Sequence, residues 1–383
     1  MAYRVNGLAT GLRAVQILYR STNGRGQPTA NVTSVILPPV HTAATRVVSY
    51  QSAYDSLDPA DSPSRSIAES RDTGTLSAES VGFAPLLAAG VTVVVPDTEG
   101  PTADFAAGPE YGMATLDSLR AVSKVAATGI RADTPSALIG YSGGAIATGW
   151  AAILGASYAP EVNKHIVGVS EGGVLVDPAH NLRYASGSKQ WAGVVAMAVV
   201  GIARSFGIDF SPYLNAVGAR ITDEMKDDII SDVLGHYPGL TWRQMVKPQY
   251  ADPNSVPEFV DAVNRINMGT AAAPTIPMQI VQATNGIAEG TPVGGKGIGA
   301  GDGIMVAGDV RALARQYCAT GLPVQYTQYD QLSHTTGAAA WGAGMFGWIA
   351  DRFAGTPAPQ NCASIAPGNS LAPEKPVAPA HRG

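Results

Sequence analysis

At 383 residues and 45% hydrophobic, the chain is long enough for one large α/β domain, with or without an insertion. Charged residues are only 14% and the net charge is −5, with no basic stripe, which excludes nucleic acid as a partner. No apolar run reaches the roughly 18 residues that a membrane span needs, so no transmembrane segment is expected.

Two strands are predicted over 13–21 and 29–37, joined at the turn signal Asn23-Gly24-Arg25-Gly26. A third is predicted over 45–50. The β-branched run 91–95 reads as a buried parallel strand ending at Pro96-Asp97. An amphipathic helix is expected over 112–127. The block 177–268 has a different texture, with helical periodicity over 191–205, 222–234 and 256–266. Thr222-Asp223-Glu224 reads as a capped helix start. Strands return over 278–283 and 324–329, separated by a helix over 306–317. Beyond Cys362 the chain is rich in Pro and Ala and is expected to be irregular. Strands alternating with helices imply a mostly parallel central sheet flanked by helices. The expected division is a core over 1–176, a helical cap over 177–268, the rest of the core over 269–362, and a tail over 363–383.

Gly140-Tyr141-Ser142-Gly143-Gly144 has the form G-x-S-x-G. With 44 glycines in the chain, roughly one such match is expected by chance in every three chains of this make-up. Context decides. An apolar run over 137–139 leads in and a small-residue helix over 145–154 leads out, the strand–turn–helix that exposes a nucleophilic serine. A second match, Gly168-Val169-Ser170-Glu171-Gly172, is followed by Asp177-Pro178 and no helix, so Ser170 reads as a strand end and loop.

A nucleophilic serine needs a base, and the base an orienting acid, in the order Ser, Asp or Glu, His. Of the six histidines, His236, His334 and His381 lie well past Ser142. His236 falls in the expected cap and His381 in the tail. His334 follows the strand over 324–329, in a loop that would present it at the sheet edge. For the acid, Asp302 stands just before the helix over 306–317; Glu289 and Asp309 are alternatives, Asp309 being expected on a solvated helix face. The oxyanion hole is expected from the Gly143 N–H and from Asp97, in the loop after the strand over 91–95. No metal-ligand spacing and no nucleotide loop occurs, so neither metal nor cofactor is expected.

Val94-Val95-Pro96-Asp97-Thr98-Glu99-Gly100, the segment Gly108-Pro109-Glu110-Tyr111-Gly112-Met113-Ala114-Thr115-Leu116-Asp117, the elbow, Asp302-Gly303-Ile304-Met305-Val306 and Ser333-His334 occur in one order. In this combination the chain resembles the secretory lipase family, of the Candida antarctica lipase A type, from about Gly11 to Cys362. The resemblance implies an α/β-hydrolase core with a helical cap. It implies a Ser142–Asp302–His334 triad and an oxyanion hole of Asp97 and Gly143. It also implies hydrolysis of carboxylic esters, often triacylglycerols, so the expected partner is an ester or lipid substrate, with a lipid–water interface as one setting for it. The loop 286–301 is long and glycine-rich for the family, and the cap is poorly matched. Met1-Ala2-Tyr3-Arg4 has no apolar signal core. A secreted chain whose signal has been removed is nevertheless expected, with Cys318 and Cys362 bridged as in the family. A monomer or weak oligomer is expected. An acyltransferase or a non-lipid esterase with the same triad is the alternative.

Overall fold

The computed structural model describes residues 1–5, 8–40, 45–68 and 74–380. Nine strands form one sheet: β1 (Ala2–Val5), β2 (Leu8–Thr22), β3 (Pro28–Ile36), β4 (Arg46–Gln51), β5 (Val91–Pro96), β6 (Ser136–Tyr141), β7 (Ile166–Gly172), β8 (Met278–Ala283) and β9 (Val324–Tyr329). Their order across the sheet is β1-β2-β3-β5-β4-β6-β7-β8-β9. The first four in that order pair antiparallel, and β5 through to β9 pair parallel. Joined by helices on both faces, this is an α/β-hydrolase fold, as expected. β1 and the extension of β2 were not anticipated, because short exposed strands carry little apolar periodicity.

β5, β6 and β8 are buried along their whole length, which is why they read as apolar runs rather than alternating ones. Their side chains still alternate. Val94 and Leu138 pack with Leu116, Trp150 and Leu313 on one face. Val93, Val95, Ala137 and Ile139 pack with Phe83, Trp341 and Trp348 on the other. Each such aliphatic side chain contributes about 1.5–3 kcal/mol by leaving water.

Between β7 and β8 the chain sends no strand into the sheet. It forms the helices Pro178–Ala185, Ala192–Phe206, Ala216–Glu224 and Pro257–Arg265, with the short helices Ile230–Val233 and Trp242–Met245 in the long stretch between the last two. The helix expected over 222–234 is displaced. It runs Ala216–Glu224, and its cap is Asn215, whose Oδ1 accepts from Val217 N and Gly218 N. Thr222 lies in its last turn and donates its hydroxyl to Gly218 O. An Asn ahead of small residues is the stronger N-cap, and it outcompetes Thr222. Helix Pro109–Val122 likewise starts earlier than expected, with proline in the first turn where a missing N–H costs nothing.

Residues 363–380 carry no helix or strand beyond the short turn Cys362–Ser364. They are nevertheless held against the body, with Asn369 bonded to Asp309 and Glu374 paired with Arg183. His381 lies outside the described residues. Cys318 and Cys362 form a disulfide.

Candidate active site

Ser142 sits at φ 56° and ψ −121°, a strained conformation for a residue with a side chain, between β6 and the helix Gly143–Tyr158. Its neighbours enforce the turn. A side chain at Gly144 would run into the carbonyl of Gln51, so the helix reaches β4 only through glycine. The Ser142 N–H donates to Gly172 O at the end of β7. The hydroxyl is therefore held at the mouth of a pocket, at the C-terminal edge of the parallel strands.

His334 Nε2 lies 2.7 Å from Ser142 Oγ, and His334 Nδ1 lies 2.8 Å from Asp302 Oδ2. His334 is not in a loop. It is the first residue of the helix His334–Phe353, capped by a reciprocal Ser333–Thr336 box. The helix hid from sequence inspection because its first turns are Thr, Gly and Ala, with no apolar stripe. Its backbone is clamped twice: the His334 N–H donates to Asp302 O at 2.8 Å, and its carbonyl accepts from Tyr141 Oη at 2.6 Å. Burial pulls the imidazole pKa down. The charge and hydrogen bond of Asp302, together with Glu289 and Asp55, outweigh it, so the imidazole ends above its ordinary value.

Asp302 is fully buried. Oδ2 also accepts from Gln282 Nε2, and Oδ1 accepts from the backbone of Ile304 and Met305. It caps no helix, since Val306 precedes Ala307–Ala319. Of the alternatives, Asp309 is buried rather than solvated, and it bonds His180 and Asn369. Glu289 bonds Trp191 Nε1 and the Thr335 N–H. Ser170 is sealed inside β7, its hydroxyl donating to Gln279 and accepting from Trp341 Nε1. His236 is exposed in the segment between β7 and β8. Among the described residues no group of three or more His, Cys, Asp or Glu is placed to hold a metal ion.

Asp97 does not reach the nucleophile. Its N–H donates to Val32 O and its carbonyl accepts from Asn31 Nδ2. Its carboxyl takes the Ser64 N–H and hydroxyl. Strand order explains the correction. β4 lies between β5 and β6, so the loop after β4 borders the elbow, and the loop after β5 lies one strand further away. In that nearer loop stands Asp55, with φ 38°. Its carboxyl lies so close to Gly143 that any side chain at Gly143 would collide with it. Its Oδ1 is buried with no hydrogen-bond partner. Burial, and then the nearby Glu79 charge, push the Asp55 carboxyl up to about 7, against the opposing pull of His334. Gly143 itself opens a helix, so its N–H has no acceptor within that helix. The Asp97 loop acts behind this one, since Glu99 accepts from the Ser56 N–H. The sequence signal for Asp55 was Tyr54-Asp55-Ser56 directly beyond a buried strand, and using it required the strand order.

A pocket of about 670 Å³, its open mouth included, runs from Ser142, Gly143 and Asp55 beneath the helix Ala192–Phe206. Its walls are apolar: Ile146, Leu182, Val195, Ile202, Phe259 and Met305 among them. Apart from Ser142, Asp55 and Asn181 the lining is apolar, and such a space favours an alkyl chain.

A model of the secretory lipase family matches residues 66–361. A protein of Mycobacterium tuberculosis named probable inactive lipase is 31% identical over 354 residues, 90% of this chain and 74% of that protein. Lipase 5 of Candida albicans is 30% identical over 361 residues, 91% of this chain and 74% of that protein. The structure of Candida antarctica lipase A in its closed state superposes with a TM-score of 0.81 at 26% identity, covering 94% of this chain and 82% of that one.

Proposed function

The chain belongs to the secretory lipase family, and on that premise we propose that it hydrolyses carboxylic esters of apolar acyl chains through an acyl-enzyme on Ser142. The observation that carries this reading is the 2.7 Å Ser142 Oγ–His334 Nε2 contact, continued at 2.8 Å to Asp302. A relative is named inactive; here nucleophile, base and acid are all present and within bonding reach, which supports activity.

His334 Nε2 takes the Ser142 proton as Oγ attacks the ester carbonyl carbon. Negative charge gathers on the carbonyl oxygen beside the Gly143 N–H and the protonated Asp55 carboxyl. Both are fixed in place beforehand, so stabilising the charge needs no rearrangement. Asp302 keeps the Nδ1 proton on its side of the ring and stabilises the imidazolium. His334 then protonates the leaving alcohol, the tetrahedral carbon collapses, and Ser142 keeps the acyl group. Water enters by the same path in reverse and releases the acid.

Residues 177–268 act in this proposal as the cap, with Ala192–Phe206 as the roof over the acyl chain. The Cys318–Cys362 disulfide supports export, since such bridges persist in oxidising compartments. The test is direct. A phosphonate that reacts with activated serine should label Ser142, and Ser142→Ala should abolish p-nitrophenyl ester hydrolysis. Hydrolysis that survives Ser142→Ala would overturn the proposal.

A further inference from the structure

Glu289 is the acid that the triad does not use. It lies in the short turn Gly286–Glu289 that follows β8, inside the long glycine-rich loop leading to Asp302. It is buried, and both of its oxygens are engaged. Oε1 accepts from the Thr335 N–H at 2.9 Å, and Oε2 accepts from Trp191 Nε1 at 2.8 Å. These partners belong to different parts of the molecule. Thr335 is in the first turn of the helix that begins with His334, and Trp191 caps the helix Ala192–Phe206 that roofs the pocket. The Trp191 ring stands edge-on to the His334 imidazole, with centroids 5.0 Å apart and planes at 78°. A second tie runs alongside, the Lys189 N–H donating to Gly290 O at 3.0 Å.

We propose that Glu289 is a positioning residue: a carboxylate strut that locks the base-bearing helix to the start of the roof helix and so holds His334 against Ser142. The physical case has three parts. A carboxylate in the first turn of a helix accepts an N–H that has no intrahelical acceptor, and it meets the positive end of the helix dipole. A buried indole N–H needs an acceptor, and the bond to Glu289 fixes the orientation of the ring that walls His334. The Glu289 charge also favours the imidazolium, adding to that of Asp302. The groups facing His334 are Asp302, Glu289, Asp55 and Tyr141, and Tyr141 stays neutral because burial holds its pKa well above 10. Glu289 does not line the acyl pocket. Trp191, which Glu289 orients, does line it, so loss of Glu289 acts on the base directly and on the pocket only through that ring.

This inference rests on the esterase reading, so its test includes one measurement that needs no turnover. In Glu289→Gln, which removes the charge and leaves one carbonyl acceptor for two N–H donors, the low-field Nδ1 proton of His334 should titrate about half a pH unit lower than in the parent. On a short soluble p-nitrophenyl ester, kcat should fall about tenfold, by a larger factor than KM changes. The acid limb of kcat/KM should move to lower pH with the imidazole. Trp191→Phe, which keeps a ring but drops the N–H, should lower kcat non-additively with Glu289→Gln. An unmoved His334 titration would overturn the proposal, whether or not Tm falls, because a merely structural carboxylate would not set the base. Additive losses in the double variant would also overturn the strut. Hydrolysis surviving Ser142→Ala would fail the esterase reading instead, and the His334 titration would still report on Glu289.

Discussion

At Asp55 a carboxyl group that burial pushes up to about 7 stands beside Gly143, and in the proposed mechanism its protonated form is the donor where negative charge develops. The sign of the pH dependence follows. His334 must be neutral to act, and its pKa lies above 6.5, so activity rises with pH through that value. Asp55 must be protonated to donate, so activity declines as pH passes about 7. The expected kcat/KM profile is a bell. Asp55→Asn, which donates at every pH, should remove the alkaline decline, and Asp55→Ala should lower kcat by about 10²- to 10³-fold at the optimum. A parent profile flat from pH 7 to 9 would contradict this role. Ser142, Asp302 and His334 were legible in the sequence because their order and their place after strands are local features. Asp55 was not, because an oxyanion donor is recognised by what lies beside it, and adjacency between β4 and β6 is set by the sheet.

Among the elements, the helix Ala192–Phe206 carries the specificity argument. Val194, Val195 and Ile202 are buried and line the pocket, whereas Ala198 and Val199 are half-buried at its edge. Its length and apolar face were readable from periodicity; what it roofs was not. Enlarging a pocket residue excludes long chains before short ones. Ala198→Phe should raise KM for a p-nitrophenyl laurate about tenfold or more and leave the butyrate within about twofold. Equal effects on both esters would show that the acyl chain runs elsewhere. The helix His334–Phe353 teaches the converse lesson. Its core contacts, Trp341, Met345, Trp348 and Ile349, are spaced on one face, but they begin two turns after His334. The functional end of the helix is defined by its Ser333 cap and by tertiary bonds, and has no apolar signal of its own.

Across the whole molecule, buried acids dominate the electrostatics. Glu171, on β7, is fully buried with neither oxygen bonded, and burial alone pushes it up to about 8. Burial, as the leading cause, also pushes Glu79, Asp97 and Asp104 to about 7. Each holds its proton when folded at a pH where the unfolded chain would release it. Their contribution is therefore intact below the ordinary carboxyl range and is lost as pH rises through 7 to 8. The urea midpoint should be higher at pH 5 than at pH 8, and Glu171→Gln should narrow that gap. A midpoint that rises from pH 5 to pH 8 would contradict it. The sequence by itself determined the fold class, the elbow and the order of the triad, because apolar periodicity, turn residues and chain order are properties of neighbouring positions. Only the tertiary structure decided that Asp55 and not Asp97 adjoins the nucleophile, that Glu289 ties the base to the roof, and that so many acids are buried. Those facts depend on strands and helices far apart in the chain being placed side by side.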